Sequence, residues 1–127
     1  MLLLRLASLE LLMMNRILYN VTCSVDVDIH QEWLEWMLKR HIPDVMKTGM
    51  FADFRICRVT GYEENGMSFA VQYTASTLED YNNYMQNFAP ALQGEHTARF
   101  GDKVSAFRTV LEILHEGSIS FPGVSAN

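Results

Sequence analysis

The chain has 127 residues, 49% of them apolar and 20% charged, with a formal net charge of -5. That length fits one domain, and a chain this size buries about two-thirds of its unfolded surface, enough for a core without disulfides or metal. Apart from the pair Lys39-Arg40, basic residues occur singly and usually beside acids, as with Glu95 and Arg99, so the basic patch of a nucleic-acid-binding surface is missing and no nucleic acid partner is expected.

The chain opens with MLLLRLASLELLMM, residues 1–14. Glu10 interrupts the leucines, no small-residue cleavage site follows, and the run is too short to span a bilayer. Three readings stand. The favoured one is a start assigned too far upstream, with Met13 or Met14 as the first native residue, which makes 1–14 a non-native or flexible extension. The second is a short amphipathic helix packed on the body or on a partner. The third is a membrane anchor, least favoured because the run has one acid and few basic residues.

From Ile17 to Val25 the sequence alternates, Ile17, Tyr19, Val21, Cys23 and Val25 against Leu18, Asn20, Thr22 and Ser24, as in a half-buried strand. A helix is expected over Asp26–Gly49, opened by Asp28 with Gln31 as a weak capping box. Its apolar stripe is Ile29, Trp33, Trp36 and Met37. Pro43 lacks an amide hydrogen and crowds the Lys39 carbonyl, so the helix should kink or restart there, and Gly49 should close it. Phe54–Tyr62 reads as a second strand, with a bulge expected at Ile56–Arg58. Asn65-Gly66 signals a hairpin into a third strand, Met67–Tyr73. Ser76 and Glu79 form a capping box for a second helix, which carries Leu78, Tyr81, Met85, Phe88 and Leu92 on one face, bends at Pro90 and ends at Gly101. The fourth strand is Val104–Leu114, with Phe107, Leu111 and Ile113 expected inward and Arg108 and Glu112 outward. A small, polar, flexible tail is expected over 116–127.

The order βαββαβ is the ferredoxin-like α+β pattern, an antiparallel sheet of strand order 4-1-3-2 with both helices on one face. Cys23 and Cys57 then lie on non-adjacent strands, and both read as free core thiols in a reducing cytoplasm. The open face is expected to carry Leu18, Asn20, Thr22 and Ser24, then Ser68, Ala70, Gln72 and Thr74, then Ala106, Arg108, Val110 and Glu112. Such a mixed face suits solvent exposure, a dimer of facing sheets, or the lining of a cavity.

The segments ILYNVT (17–22), HQEWLEWM (30–37), HIPDVMKTGMF (41–51), VQYT (71–74), APAL (89–92), EHTARFGD (95–102) and FRTVLE (107–112) together resemble a bacterial family catalogued as domain of unknown function 4286. The resemblance covers about 15–115, taken as the domain, and its name supplies no activity. More loosely, a first helix with a histidine, a proline, then a glycine and an aromatic is similar to the dimeric α+β barrel superfamily. Cofactor-free monooxygenases, small isomerases, haem-degrading enzymes and non-catalytic ligand-binding domains share that fold. The resemblance implies a homodimer with a cleft between sheet and helices in each subunit; it does not choose an activity.

Chemistry-bearing residues are few. His30 and His41 lie on one helix about 16 Å apart and cannot hold one metal. No HxxxH, HExxH or CxxC spacing occurs, so neither metal nor cofactor is expected. His41 and His96 each stand near a bent helix end, where a histidine either exchanges a proton or bonds carbonyls freed by the proline; the residues favour the structural role. Arg58, Gln72, Arg108 and Glu112, if they share the open face, could bind a small acid or an enolate, although a salt-bridged face or interface is the plainer reading, and the suspected bulge leaves the face of Arg58 undecided. Asn20 and Thr22 are ligand contacts or cross-strand hydrogen bonds. Tyr19, Tyr73, Trp33 and Trp36 are core or the wall of an apolar pocket.

Two functions follow. One is a cytoplasmic homodimer that binds a small organic ligand or serves in assembly, without nucleic acid or membrane. The alternative is a metal-free, monooxygenase- or isomerase-like enzyme for a small aromatic or carbonyl compound, with His41 or His96 as base and Arg108 as anion anchor.

Overall fold

The computed structural model describes residues 2–61 and 63–120. Four strands, β1 (Ile17–Asp26), β2 (Asp53–Arg58), β3 (Gly66–Ala75) and β4 (Val104–Glu112), form an antiparallel sheet in the order β2-β3-β1-β4. This is the expected ferredoxin-like order. The helices are α1 (Leu2–Met14), α2 (His30–Trp36), α3 (Ile42–Lys47), α4 (Leu78–Asn87) and α5 (Ala89–Phe100). The core lies between them and one sheet face. Tyr19, Cys23 and Val25 of β1 and Phe69, Val71 and Tyr73 of β3 meet Trp33, Met37, Ile42, Val45 and Tyr84 there. Leu12 of α1 packs at its margin. The proposed ends at 1–14 and 116–127 fall partly on residues 1 and 121–127, outside the described residues.

Several local expectations give way to different geometry. The first helix is not broken at Pro43. Instead α2 and α3 are joined by a π turn over Met37–His41, in which the Ile42 amide donates to the Met37 carbonyl five residues back. Widening the ladder just before a residue without an N–H, at the start of α3, lets the helix pass the proline. Asp28 does not cap this helix, which instead enters through a 3-10 turn at Val27–Ile29, with His30 Nδ1 donating to the Val27 carbonyl at 2.6 Å. The cap of α4 is Thr77, not Ser76: its Oγ1 accepts from the Asp80 amide at 3.0 Å. At Phe88 the second helix breaks into α4 and α5, and Pro90 then serves in the first turn of α5, where a missing N–H costs nothing. Gly101, at φ 56°, closes α5.

β2 pairs with β3 without a bulge from Asp53 to Arg58, and the ladder places Phe54, Ile56 and Arg58 opposite Tyr73, Val71 and Phe69. Tyr62, the expected strand end, lies outside the described residues. Cys57 is exposed rather than a core thiol, because it falls on the side of β2 away from the helices.

The largest correction concerns β4. Its alternation is as read, but the two faces are exchanged. Arg108 stands opposite Val21, Ala106 opposite Cys23 and Val110 opposite Tyr19, and partners directly opposite in an antiparallel ladder share a face. Ala106, Arg108, Val110 and Glu112 therefore lie on the helix side, and Phe107 and Leu111 on the open side beside Thr22 and Leu18. Phe107 is 64% exposed.

Candidate functional site

Beneath the helices, towards the β4 edge, the fold leaves a cavity of about 220 Å³. Its floor is Tyr19, Val21 and Cys23 of β1 with Val71 and Tyr73 of β3. Met37 and His41 of the π turn roof it, α5 supplies Gln93, His96 and Thr97, and Arg108 of β4 stands at the edge.

Each polar group is placed by a local cause. The π turn sets His41 against Trp36, with stacked rings 5.3 Å apart, and its Nδ1 is buried without a hydrogen-bond partner among the described residues. His41 Nδ1 thus caps no freed carbonyl. His96, one helix away, has its ring centre 5.9 Å from that of His41. Trp33, fully buried, donates its Nε1–H to His96 Nε2 at 2.9 Å. An indole nitrogen can only donate, so His96 Nε2 is an acceptor and the neutral ring carries its proton on Nδ1. Arg108 donates from Nε to the Tyr19 hydroxyl at 3.0 Å. The Tyr73 hydroxyl is buried and unpartnered among the described residues.

Burial dominates the electrostatics. It lowers the His41 pKa to about 4, helped by the neighbouring His96 and by Arg108 and opposed by Asp44. His96 is lowered by burial and then by Arg108. Burial pushes the Cys23 thiol up to about 11 and raises Tyr19, Tyr73 and Tyr84 above the ordinary phenol value. At neutral pH the histidines and phenols here are uncharged, and Arg108 supplies the positive charge.

The sequence-derived candidates divide. His41, His96 and Arg108 share the cavity. Asn20, Thr22 and Gln72 lie on the opposite sheet face, where Asn20 Nδ2 donates to Thr22 Oγ1 at 3.1 Å and Gln72 accepts from Arg55 at 3.4 Å. Arg58 is on the helix side, in a separate groove with His30 and Leu34. Glu112, at the end of β4, accepts from Asn15 Nδ2 at 3.0 Å. The imagined cluster of Arg58, Gln72, Arg108 and Glu112 on one face is therefore not formed, because adjacent strands put those four residues on different faces and at different ends. Gln93, Thr97 and Tyr84, which carried no motif, also line the cavity. Tyr84 comes from α4, and the turn at Phe88, which swings α5 over the sheet, brings Gln93 and Thr97 there.

Among the described residues, no group of three or more histidines, cysteines or carboxylates could hold a metal ion, and no helix is long and apolar enough to cross a membrane.

Among solved structures, the chain is similar to a dimeric ferredoxin-like protein from an uncultured marine organism, at 10% identity and a TM-score of 0.62, covering 81% of this chain and 99% of that one. An EthD family protein from Bacillus halodurans matches at 15% identity and 0.59, covering 77% and 99%. The haem degrader MhuD of Mycobacterium tuberculosis, with two haems in its active site, matches at 13% and 0.53, covering 80% and 99%. Likenesses this remote in sequence establish the fold alone, a ferredoxin-like α+β sheet. No curated protein matches the sequence. The family model for domain of unknown function 4286 matches residues 16–114, so the chain belongs to that family.

Proposed function

We propose that the chain is a cytoplasmic homodimer that binds a small organic molecule between its helices and its sheet. One observation carries this reading: the cavity is lined by two residues, His41 and Tyr73, whose Nδ1 and hydroxyl are buried without partners among the described residues. Each such atom costs roughly 1–3 kcal/mol while unpaired, and a ligand that bonds to both recovers that cost. The volume sets the scale. A dry cavity of roughly 150 Å³ holds benzene, and drug-sized pockets begin near 300 Å³. A space of about 220 Å³ suits one substituted ring, and a tetrapyrrole such as haem exceeds it. Phe107 and Leu111 on the open sheet face support the dimer, since a second sheet would cover them. Two free cysteines, one exposed, support a reducing compartment.

The alternative, a metal-free enzyme for a small aromatic or carbonyl compound, is favoured by the meeting of His41, His96 and Arg108 in one cavity. It is weakened by the lowered pKa values of both histidines, since a general base works best with a pKa near the operating pH. Mass spectrometry of small molecules released from natively purified protein, with thermal-shift measurements against single-ring aromatic compounds such as phenol, tests both readings. A retained or stabilising ring compound that is not turned over supports binding. Turnover lost in folded His41→Ala and Arg108→Ala variants supports the enzyme. No ligand, and no stabilisation by any such compound at millimolar concentration, refutes the site.

A further inference from the structure

The cavity combines a positive edge with neutral acceptors and no acid. None of its lining residues is an aspartate or glutamate, and among the described residues Arg108 has no carboxylate within ion-pairing distance. Its Nε is engaged by the Tyr19 hydroxyl, which fixes the guanidinium plane and leaves the two terminal nitrogens for a planar anion. The charge acts on His41, His96, Cys23, Tyr19 and Tyr84, all of which line the cavity with it. The rings of Tyr19 and Tyr73, cross-strand neighbours on the floor with centres 6.1 Å apart, offer an aromatic surface to a flat ring.

We propose that the cavity takes a singly charged organic anion of one-ring size, its carboxylate or enolate oxygens paired with Arg108 and a hydroxyl or N–H group donating to His41 Nδ1. This assignment rests on the ligand-binding reading above and names the ligand class. The neutral His96, fixed by Trp33, closes the side next to His41 and adds no second charge. A dianion finds one cation only, and a cation meets Arg108 with no acid to offset it.

The test uses the full chain and calorimetric titration with meta-hydroxybenzoate, its neutral amide meta-hydroxybenzamide, and meta-methoxybenzoate, which lacks the donor. The acid is expected to bind about ten- to a hundredfold tighter than the amide. Arg108→Gln should remove that preference and Arg108→Lys should keep part of it. His41→Phe should abolish the preference for the hydroxy acid over the methoxy acid while sparing the preference for acid over amide. Equal binding of acid and amide by the unaltered protein, or an acid preference that survives Arg108→Gln, overturns the charge assignment alone. If neither acid nor amide binds, the ligand-binding reading fails and takes this one with it.

Discussion

Replacing His41 by phenylalanine should stabilise the empty protein. The imidazole is packed against Trp36 and its Nδ1 has no partner among the described residues, so the folded state carries a desolvated polar atom that phenylalanine removes. That atom costs roughly 1–3 kcal/mol, while the ring stack survives in the variant. Allowing for the slightly larger ring, the net gain at neutral pH is about 1 kcal/mol, or roughly 3–5 °C in Tm. The pH dependence sharpens the test. With its pKa lowered from 6.5 to about 4, His41 holds fewer protons in the folded chain than in the unfolded chain between those values. Its contribution is therefore intact above 6.5 and is lost as pH falls, by roughly 2 kcal/mol at pH 5. Urea denaturation at pH 7 and pH 5 should show the variant ahead at both, with the wider margin at pH 5 and the same m value. A variant destabilised by more than 1 kcal/mol at pH 7, with an unaltered pH slope, would show that His41 bonds a backbone or side-chain group, and the site would lose its central acceptor.

Trp33→Phe should cost about 2–4 kcal/mol in urea denaturation, because it both opens a void in the core and strands His96 Nε2; a loss below 1 kcal/mol would contradict the indole–imidazole bond. Phe107→Asp should convert the proposed dimer to monomers in sedimentation at micromolar concentration without unfolding it, and an unaltered protein that is already monomeric would refute the facing-sheet arrangement. Cys23, buried with its thiol pushed up to about 11, should resist iodoacetamide at pH 8 until the chain unfolds, whereas exposed Cys57 should react first; labelling in the reverse order would contradict the burial of β1.

The fold was legible because its signals are short-range. The alternation over Ile17–Val25, the stripe of Trp33 and Met37, and the glycines at 49 and 101 each specify an element from neighbouring residues. The strand order follows from the βαββαβ arrangement. The side on which β4 presents Arg108 was not legible. A period of two divides a strand into two sets and leaves open which set faces in, and the usual guide, apolar inward, misleads for an edge strand with Phe107 and Leu111 on its open face. His41 and His96 could be singled out by type, but their nearness depends on the π turn and on the break at Phe88. Pro43 and Pro90 signal that the backbone must bend, but not that one bend is a wide turn inside a continuous helix and the other a break two residues earlier. Trp33, marked as core, proved also to be the donor that fixes the His96 tautomer.

The π turn between α2 and α3 amounts to one residue more than a regular helix would hold. Tightening these same residues into an ordinary helix, with none removed, would turn everything beyond it by about 100°. Ile42 and Val45, now fully buried, would swing off the sheet together with His41. The irregularity that aims the histidine into the cavity is thus the same one that seats the second half of the helix on the core. A chain that lost it would give up its site and its packing in a single step, so the imperfect turn is held in place by the need to fold.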